Sequence, residues 1–246
     1  MAAWRVEVVR TGVANLASVI AGLRRAGAEP AVTSDPAAVR DAARVVLPGV
    51  GAFGPAMAEL ERTGVADALR RRIEAGDATA GFCLGMQLMF GASDESPGVT
   101  GLGVAPGHVG RFAGAGPGGA ALVVPQMGWN RVMPGPGFDA FGQGHAYFAN
   151  SYRVSALGGA AAAAGGMGRI SGSNAHIDVD SRGGWSVAVA GYGGEFLAAV
   201  QRGGVLGCQF HPELSGVFGQ AVLRGWLSRP EGRPAGAGRG AEVGGL

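Results

Sequence analysis

The chain contains no lysine: its 20 basic residues are all arginine, set against 18 acidic ones for a net charge of +2 over 246 residues. Schiff-base chemistry on a lysine amine is thereby excluded. With 48 glycines and abundant alanine, the bias follows codon usage for Gly, Ala, Arg and Pro rather than function. The arginines are scattered, so the charge makes no footprint for nucleic acid or an anionic membrane. Cysteine numbers two and histidine four, too few for a disulfide framework, and no two of them stand at metal-ligand spacing. No motif asks for a cofactor. No run approaches the roughly 18 strongly apolar residues of a membrane span. The opening "MAAWRVEVVR" lacks the apolar core and cleavage pattern of a signal peptide, so a reduced cytoplasm is the expected compartment.

What is present is 47% hydrophobic side chains, enough to bury a sizeable core, and the length suits one α/β domain. Short apolar runs alternate with helical patterns: "RVEVVR", "NLASVIAGLRRAG", "PAVTS", "ARVVLPG", "AMAELERTGVADALRRRIEAG", "ATAGFC". This rhythm predicts a mixed, mostly parallel sheet flanked by helices. Beyond about residue 100 the pieces become strand-like: "ALVVPQMGWN", "HAYFANSYRV", "WSVAVAG" and "FLAAVQRGGVLGCQF", with Arg202, Gly203 and Gly204 as a hairpin turn. A helix, "GQAVLRGWL", closes a domain spanning 1–228. Residues 229–246 lack apolar periodicity and read as a disordered tail. Ala113 to Ala120 and Ala156 to Gly168 read as low-complexity loops.

Cys83 lies in "GFCLGMQ", between a strand pattern and a possible helix start. Gly-x-Cys-x-Gly at such a junction is a nucleophile elbow with sulfur for oxygen. Gly81 and Gly85 permit the sharp bend, and a helix N-terminus favours a thiolate. A buried, inert thiol is the bland alternative, and Cys208, between Gly207 and Gln209 in an apolar strand, is read that way. A thiolate needs a base. His211, in "GCQFHPELS", follows an apolar strand and stands two residues before Glu213, so both side chains point the same way and the carboxylate can orient the imidazole. His108, His145 and His176 read as surface or loop residues. The turn "LPGVGAFG" offers backbone N–H groups at Gly49, Val50 and Gly51 for an oxyanion. Gly49, Gly51 and Gly54 also match a dinucleotide fingerprint, but the next strand ends in Cys83 rather than the acidic residue that fingerprint needs.

In this order, "LPGVGAFG", "GFCLGMQLMF" and "GCQFHPELSG" resemble the triad-type, class I glutamine amidotransferases, with a flavodoxin-like fold. "PQMGWN" (Pro125 to Asn130) and "YFANSYR" (Tyr147 to Arg153) narrow the resemblance to the glutaminase subunits of imidazole glycerol phosphate synthase, over the chain from the first strand to about Leu227. The resemblance implies hydrolysis of glutamine to glutamate and ammonia, the ammonia passing to a TIM-barrel cyclase in a heterodimer. It makes Cys83 the nucleophile, His211 the acid and base, and Glu213 its orienting partner. Leu84 N–H and an N–H of the Pro48–Gly51 turn, the latter after a local flip, would hold the oxyanion. Gln87, Glu95, Ser151 and Tyr152 would contact the substrate. The sequence departs from the family at Arg10, Thr11 and Ala14 in the first loop, at Asn150 where histidine is usual, and at Leu214 where lysine is usual. These are positions of communication with the partner, so they bear on coupling rather than on the triad. Two other readings stay open here: a class I glutaminase of another pathway, and a weakly coupled or non-catalytic paralogue serving as an interaction subunit.

Overall fold

The computed structural model describes residues 3–12, 16–119, 121–155, 167–169, 178–180 and 184–229. Its elements, in chain order, are β1 (Trp4–Val9), α1 (Leu16–Arg25), β2 (Ala28–Thr33), α2 (Pro36–Asp41), β3 (Val45–Leu47), α3 (Phe53–Thr63), α4 (Val65–Ala75), β4 (Thr79–Phe82) and α5 (Leu84–Gln87). There follow β5 (Val109–Arg111), β6 (Gln126–Pro134), β7 (Gly144–Asn150), β8 (Tyr152–Val154), β9 (Met167–Arg169), β10 (Asp178–Asp180), β11 (Ser186–Gly191), β12 (Glu195–Arg202), β13 (Val205–Cys208) and α6 (Gly216–Leu227).

Nine strands form the main sheet in the order β2-β1-β3-β4-β13-β12-β11-β6-β7. The first five run parallel, and β12, β11, β6 and β7 continue the sheet antiparallel. The parallel half has the doubly wound, flavodoxin-like strand order, which places binding sites at the carboxyl ends of its strands. β3 shows why the sheet is covered on both faces: Val45 and Leu47 point into one core with Phe53, Leu60 and Leu69 of α3 and α4, and Val46 points into another with Leu23 of α1 and Trp226 of α6. Each fully buried Phe or Leu in these layers contributes about 1.5–3 kcal/mol of transfer free energy. Local signals agree: Asp35 caps α2 by accepting from the Ala37 N–H at 2.8 Å, with Pro36 at the first helical position.

Three local expectations are corrected, and a fourth is found in shortened form. "AMAELERTGVADALRRRIEAG" is two helices, because Gly64 adopts φ 74° and ends α3 before α4 begins. The helix start expected after Cys83 is present, but the helix runs only from Leu84 to Gln87; beyond it the carbonyls of Leu88 and Met89 accept N–H groups of Leu102 and Val104, at 2.8 and 3.0 Å, and tertiary pairing replaces helical pairing. β6 begins at Gln126, not Ala121, since Ala121 is bridged to Ala115 instead. Met167 and Gly168, read as loop, belong to β9, which pairs with β10. The hairpin turn is found between β12 and β13, with Gly203 at φ 57°. Ala14, His176, residues 156–166 of the expected loop and the tail from 230 onward lie outside the described residues.

Cys208 is fully buried, and burial raises its thiol well above the ordinary cysteine range. It packs among Phe82, Phe196 and Phe210 in one core. Cys208→Ala is expected to keep full glutaminase activity and lose about 1 kcal/mol of stability, read as a shifted denaturant midpoint at unchanged slope.

Candidate active site

Strand β4 ends at Phe82, and the next residue turns the chain. Cys83 has φ 50° and ψ −108°, the only non-glycine positive φ among the described residues. Such a conformation costs about 1–3 kcal/mol and persists where the surroundings impose it. Here its N–H donates to the Cys208 carbonyl at 2.7 Å, and its carbonyl accepts from the N–H groups of Met86 and Gln87, both at 3.1 Å. A side chain at Gly85 would overlap the Leu47 carbonyl, and one at Gly49 would overlap the backbone of Gly85. The elbow and the Gly-rich turn therefore pack backbone to backbone, which only glycine allows.

His211 follows β13 and is stapled to β7. Its N–H donates to the Tyr147 carbonyl at 3.0 Å, the Ser215 hydroxyl donates to its carbonyl at 2.6 Å, and the Tyr147 N–H donates to that hydroxyl at 2.9 Å. Its Nδ1 lies 2.9 Å from Glu213 Oε1, with both side chains buried. A carboxylate accepts only, so Nδ1 carries a hydrogen and Nε2 is left for proton transfer in the cleft that His211 shares with Cys83. Glu213 is braced from α1, where Arg25 Nη2 donates to its carbonyl at 3.1 Å and the bare Cα of Gly22 lets it approach.

Burial acts to lower the His211 pKa, but hydrogen bonds to Cys83 and Glu213, and their charges, outweigh it and raise it from 6.5 to about 10. The imidazole is thus held as a cation at neutral pH. The folded value lies above the unfolded one, so this pair stabilises the fold fully below pH ~6.5 and loses that contribution as pH rises toward ~10. Urea midpoints measured at both ends of this window are expected to fall more in the wild type than in His211→Gln. Equal decreases in the two proteins would contradict the pairing.

Gly49, Val50, Gly51, Cys83, Leu84, Gln87, Glu95, Ser151, Tyr152 and His211, ten of the eleven residues expected from sequence, line one cleft of about 330 Å³. The eleventh, Glu213, stands behind His211. Pro125, Met127, Ala149 and Asn150 complete the wall. The Leu84 N–H donates to the Gly49 carbonyl at 3.4 Å, so the Gly49–Val50 peptide presents its oxygen, not its N–H, to the cleft. Glu95 Oε2 accepts from the Phe53 N–H at the start of α3, at 2.8 Å. Gln87 Nε2 donates to the Tyr152 carbonyl at 3.1 Å and to Gln209 Oε1 at 2.9 Å. His108 is on the surface with Asp94, 2.6 Å away, and His145 is exposed on β7. Among the described residues no three His, Cys, Asp or Glu side chains gather as a metal ion would require.

The departures named from sequence fall in different places. Leu214 is 47% exposed next to Glu213, whereas Asn150 lines the cleft and is 5% exposed, its Nδ2 donating to the Tyr152 carbonyl at 2.9 Å. Thr11 is buried and Arg10 exposed in the loop after β1. Sequence reasoning missed Gln209, Arg25 and Ser215. A polar Gln209 inside an apolar strand, two positions before His211 and so on the same side, was the available signal. The bracing by Arg25 comes from an element nearly two hundred residues away, and nothing local announces it.

No family model matches the chain. Among curated proteins, it is 35% identical over 231 residues to "Imidazole glycerol phosphate synthase subunit HisH" of Geobacillus kaustophilus, covering 93% of this chain and 98% of that protein. To the protein of the same name in Symbiobacterium thermophilum it is 38% identical over 226 residues, covering 90% and 92%. It is 37% identical over 225 residues to the chloroplastic imidazole glycerol phosphate synthase hisHF of Arabidopsis thaliana, matching 90% of this chain but spanning only 34% of that longer protein. Among solved structures, a glutamine amidotransferase crystal structure superposes with TM-score 0.64 at 21% identity, covering 90% of this chain and 96% of the other. PurLQS from Thermotoga maritima gives 0.60 at 18% identity, covering 92% and 98%. These two likenesses speak to the fold.

Proposed function

Since the chain belongs to the family of imidazole glycerol phosphate synthase HisH subunits, class I glutamine amidotransferases, we propose that Cys83, His211 and Glu213 are the triad by which it hydrolyses glutamine. It is the glutaminase subunit of that synthase, working in histidine biosynthesis with a cyclase partner. The observation that carries the assignment of the site is the elbow: a strained Cys83 that shares one cleft with a His211 oriented by Glu213.

The chemistry follows from these positions. Cys83 Sγ attacks the glutamine carboxamide carbon, and the carbonyl oxygen becomes an oxyanion held by the Leu84 N–H. His211 Nε2 passes its proton to the departing ammonia as the tetrahedral species collapses to a γ-glutamyl thioester. The neutral imidazole then takes a proton from water, which attacks the thioester carbon and restores the thiolate as glutamate leaves. Glu213 keeps Nδ1 protonated throughout. Glu95 suits the α-ammonium group of the substrate, while Gln87, Ser151 and Tyr152 position it. The Gly49 carbonyl occupies the Leu84 N–H, so a flip of the Gly49–Val50 peptide would free that donor and add the Val50 N–H to the hole.

The partner is proposed to be a TIM-barrel cyclase forming a heterodimer, and the compartment the cytoplasm. An exposed apolar face beside the cleft supports the docking: Met127 and Trp129 of β6 are 68% and 58% exposed, Val50 and Leu214 are partly exposed, and Trp129 reaches Gly216, next to the exposed Val217. The test is glutamate release from glutamine by the chain with its cyclase. Turnover that depends on Cys83 supports the assignment, and turnover that survives its loss overturns it.

A further inference from the structure

Gln209 has no part in the triad, yet its side chain is completely buried and joins two groups of the site. Its Oε1 accepts from Gln87 Nε2 at 2.9 Å, and its Nε2 donates to Cys83 Sγ at 3.6 Å. The direction of this chain is fixed by an atom that cannot be reversed. The Tyr152 carbonyl accepts only, so the amide end of Gln87 beside it, 3.1 Å away, must be the nitrogen. That nitrogen spends its second hydrogen on Gln209, so Gln209 turns its oxygen toward Gln87 and its N–H toward the sulfur. The opposite orientation would set a lone pair against Sγ.

We propose that Gln209 is a positioning residue that donates a hydrogen bond to the Cys83 thiolate and, through its other end, locks Gln87 with its own oxygen free for the substrate. The inference rests on Cys83 being the nucleophile. A donor aimed at the sulfur from inside the protein holds Sγ toward the cleft and favours its anionic form where water is excluded. Sγ in turn donates to the Ala149 carbonyl, 3.9 Å away. The other ionisable groups lining the cleft are His211, with Glu213 behind it, Glu95 and Tyr152. Among these contacts, the Gln209 N–H supports the anion without titrating.

Gln209→Glu and Gln209→Met separate the roles. Glutamate keeps the acceptor for Gln87 but puts an anionic oxygen at the sulfur, and methionine keeps the volume while removing both bonds. The measurement is the pH profile of iodoacetamide alkylation, with the label located by peptide mapping, beside kcat and KM for glutamine and a thermal melt. The midpoint of Cys83 alkylation is expected to move up by about one pH unit or more in Gln209→Glu and by less in Gln209→Met. KM should rise in Gln209→Met, where Gln87 is unlocked, more than in Gln209→Glu. If Gln209→Glu does not fold, the Gln209→Met profile and KM decide alone. Wild-type Cys83 labelled with a profile that the substitutions leave unchanged would overturn the role of Gln209. Wild-type protein in which Cys83 is never labelled would instead overturn its assignment as nucleophile.

Discussion

Cys83→Ala is expected to lower glutamine-dependent turnover by about 10⁴-fold or more, the scale on which single members of a nucleophile–base unit are lost, while synthesis from added ammonia by the complex with its cyclase should continue. The two halves of this result have separate causes. Alanine removes the only atom that can form the thioester, and His211, though still braced by Glu213, then has no thiol to act on. Ammonia supplied from solution bypasses that step, because its incorporation belongs to the partner. The backbone bonds that hold φ 50° at this position do not involve the side chain, so the elbow should keep its shape, although the buried Gln209 N–H and His211 each lose a partner. Folding should therefore be retained, with a melt somewhat below that of the wild type. Loss of both activities together would point to a collapsed structure, and retention of both would remove Cys83 from the mechanism.

The isolated chain is expected to hydrolyse glutamine slowly, at least tenfold below its rate with the cyclase and the cyclase's ligand. In the resting arrangement the Gly49 carbonyl fills the position that the oxyanion would need, at 3.4 Å from the Leu84 N–H. A partner that binds the flipped peptide better shifts the population toward a competent hole, and each tenfold of activation requires about 1.4 kcal/mol of differential binding. Met127, exposed on the same strand as Trp129, lines the cleft together with Val50 of this turn, so a partner docked on that face would reach the turn. Restoring the family's residues with Leu214→Lys and Asn150→His should increase activation. The two act differently: the exposed Leu214 should change the affinity for the partner, and the buried Asn150 the turnover once bound. Glutamate release with and without partner and ligand measures both. Full turnover by the isolated chain would contradict the gating, and an unchanged activation ratio in the double variant would make these departures neutral.

The parts of this molecule that were legible in the sequence are those written in local spacing. Gly81, Cys83 and Gly85 announced the sharp turn at Cys83, and the alternation through His211 and Glu213 announced their pairing, because a turn and an extended segment each fix side-chain direction within a few residues. The strand and helix rhythm up to β4 was equally plain. What escaped was set by distant partners. Leu88 and Met89 have helix-forming side chains, but their carbonyls pair with residues 102–104, which no local pattern reveals. Gly64 was visible, yet only its φ of 74° shows that it separates two helices rather than sitting inside one. Gln209 was quoted within its motif without a role, since its meaning lies in Gln87 and Tyr152, more than fifty residues away.

Trapping the nucleophile tests the assignment of the site most directly. The glutamine analogue 6-diazo-5-oxo-norleucine, incubated with the wild-type chain and cyclase, should add a single covalent label, mapped to the peptide carrying Cys83. The Cys83→Ala chain should remain unlabelled, and glutamine in excess should protect the wild type. No adduct in the wild-type complex, or a label that persists in Cys83→Ala, would contradict the assignment of Cys83 as the glutaminase nucleophile.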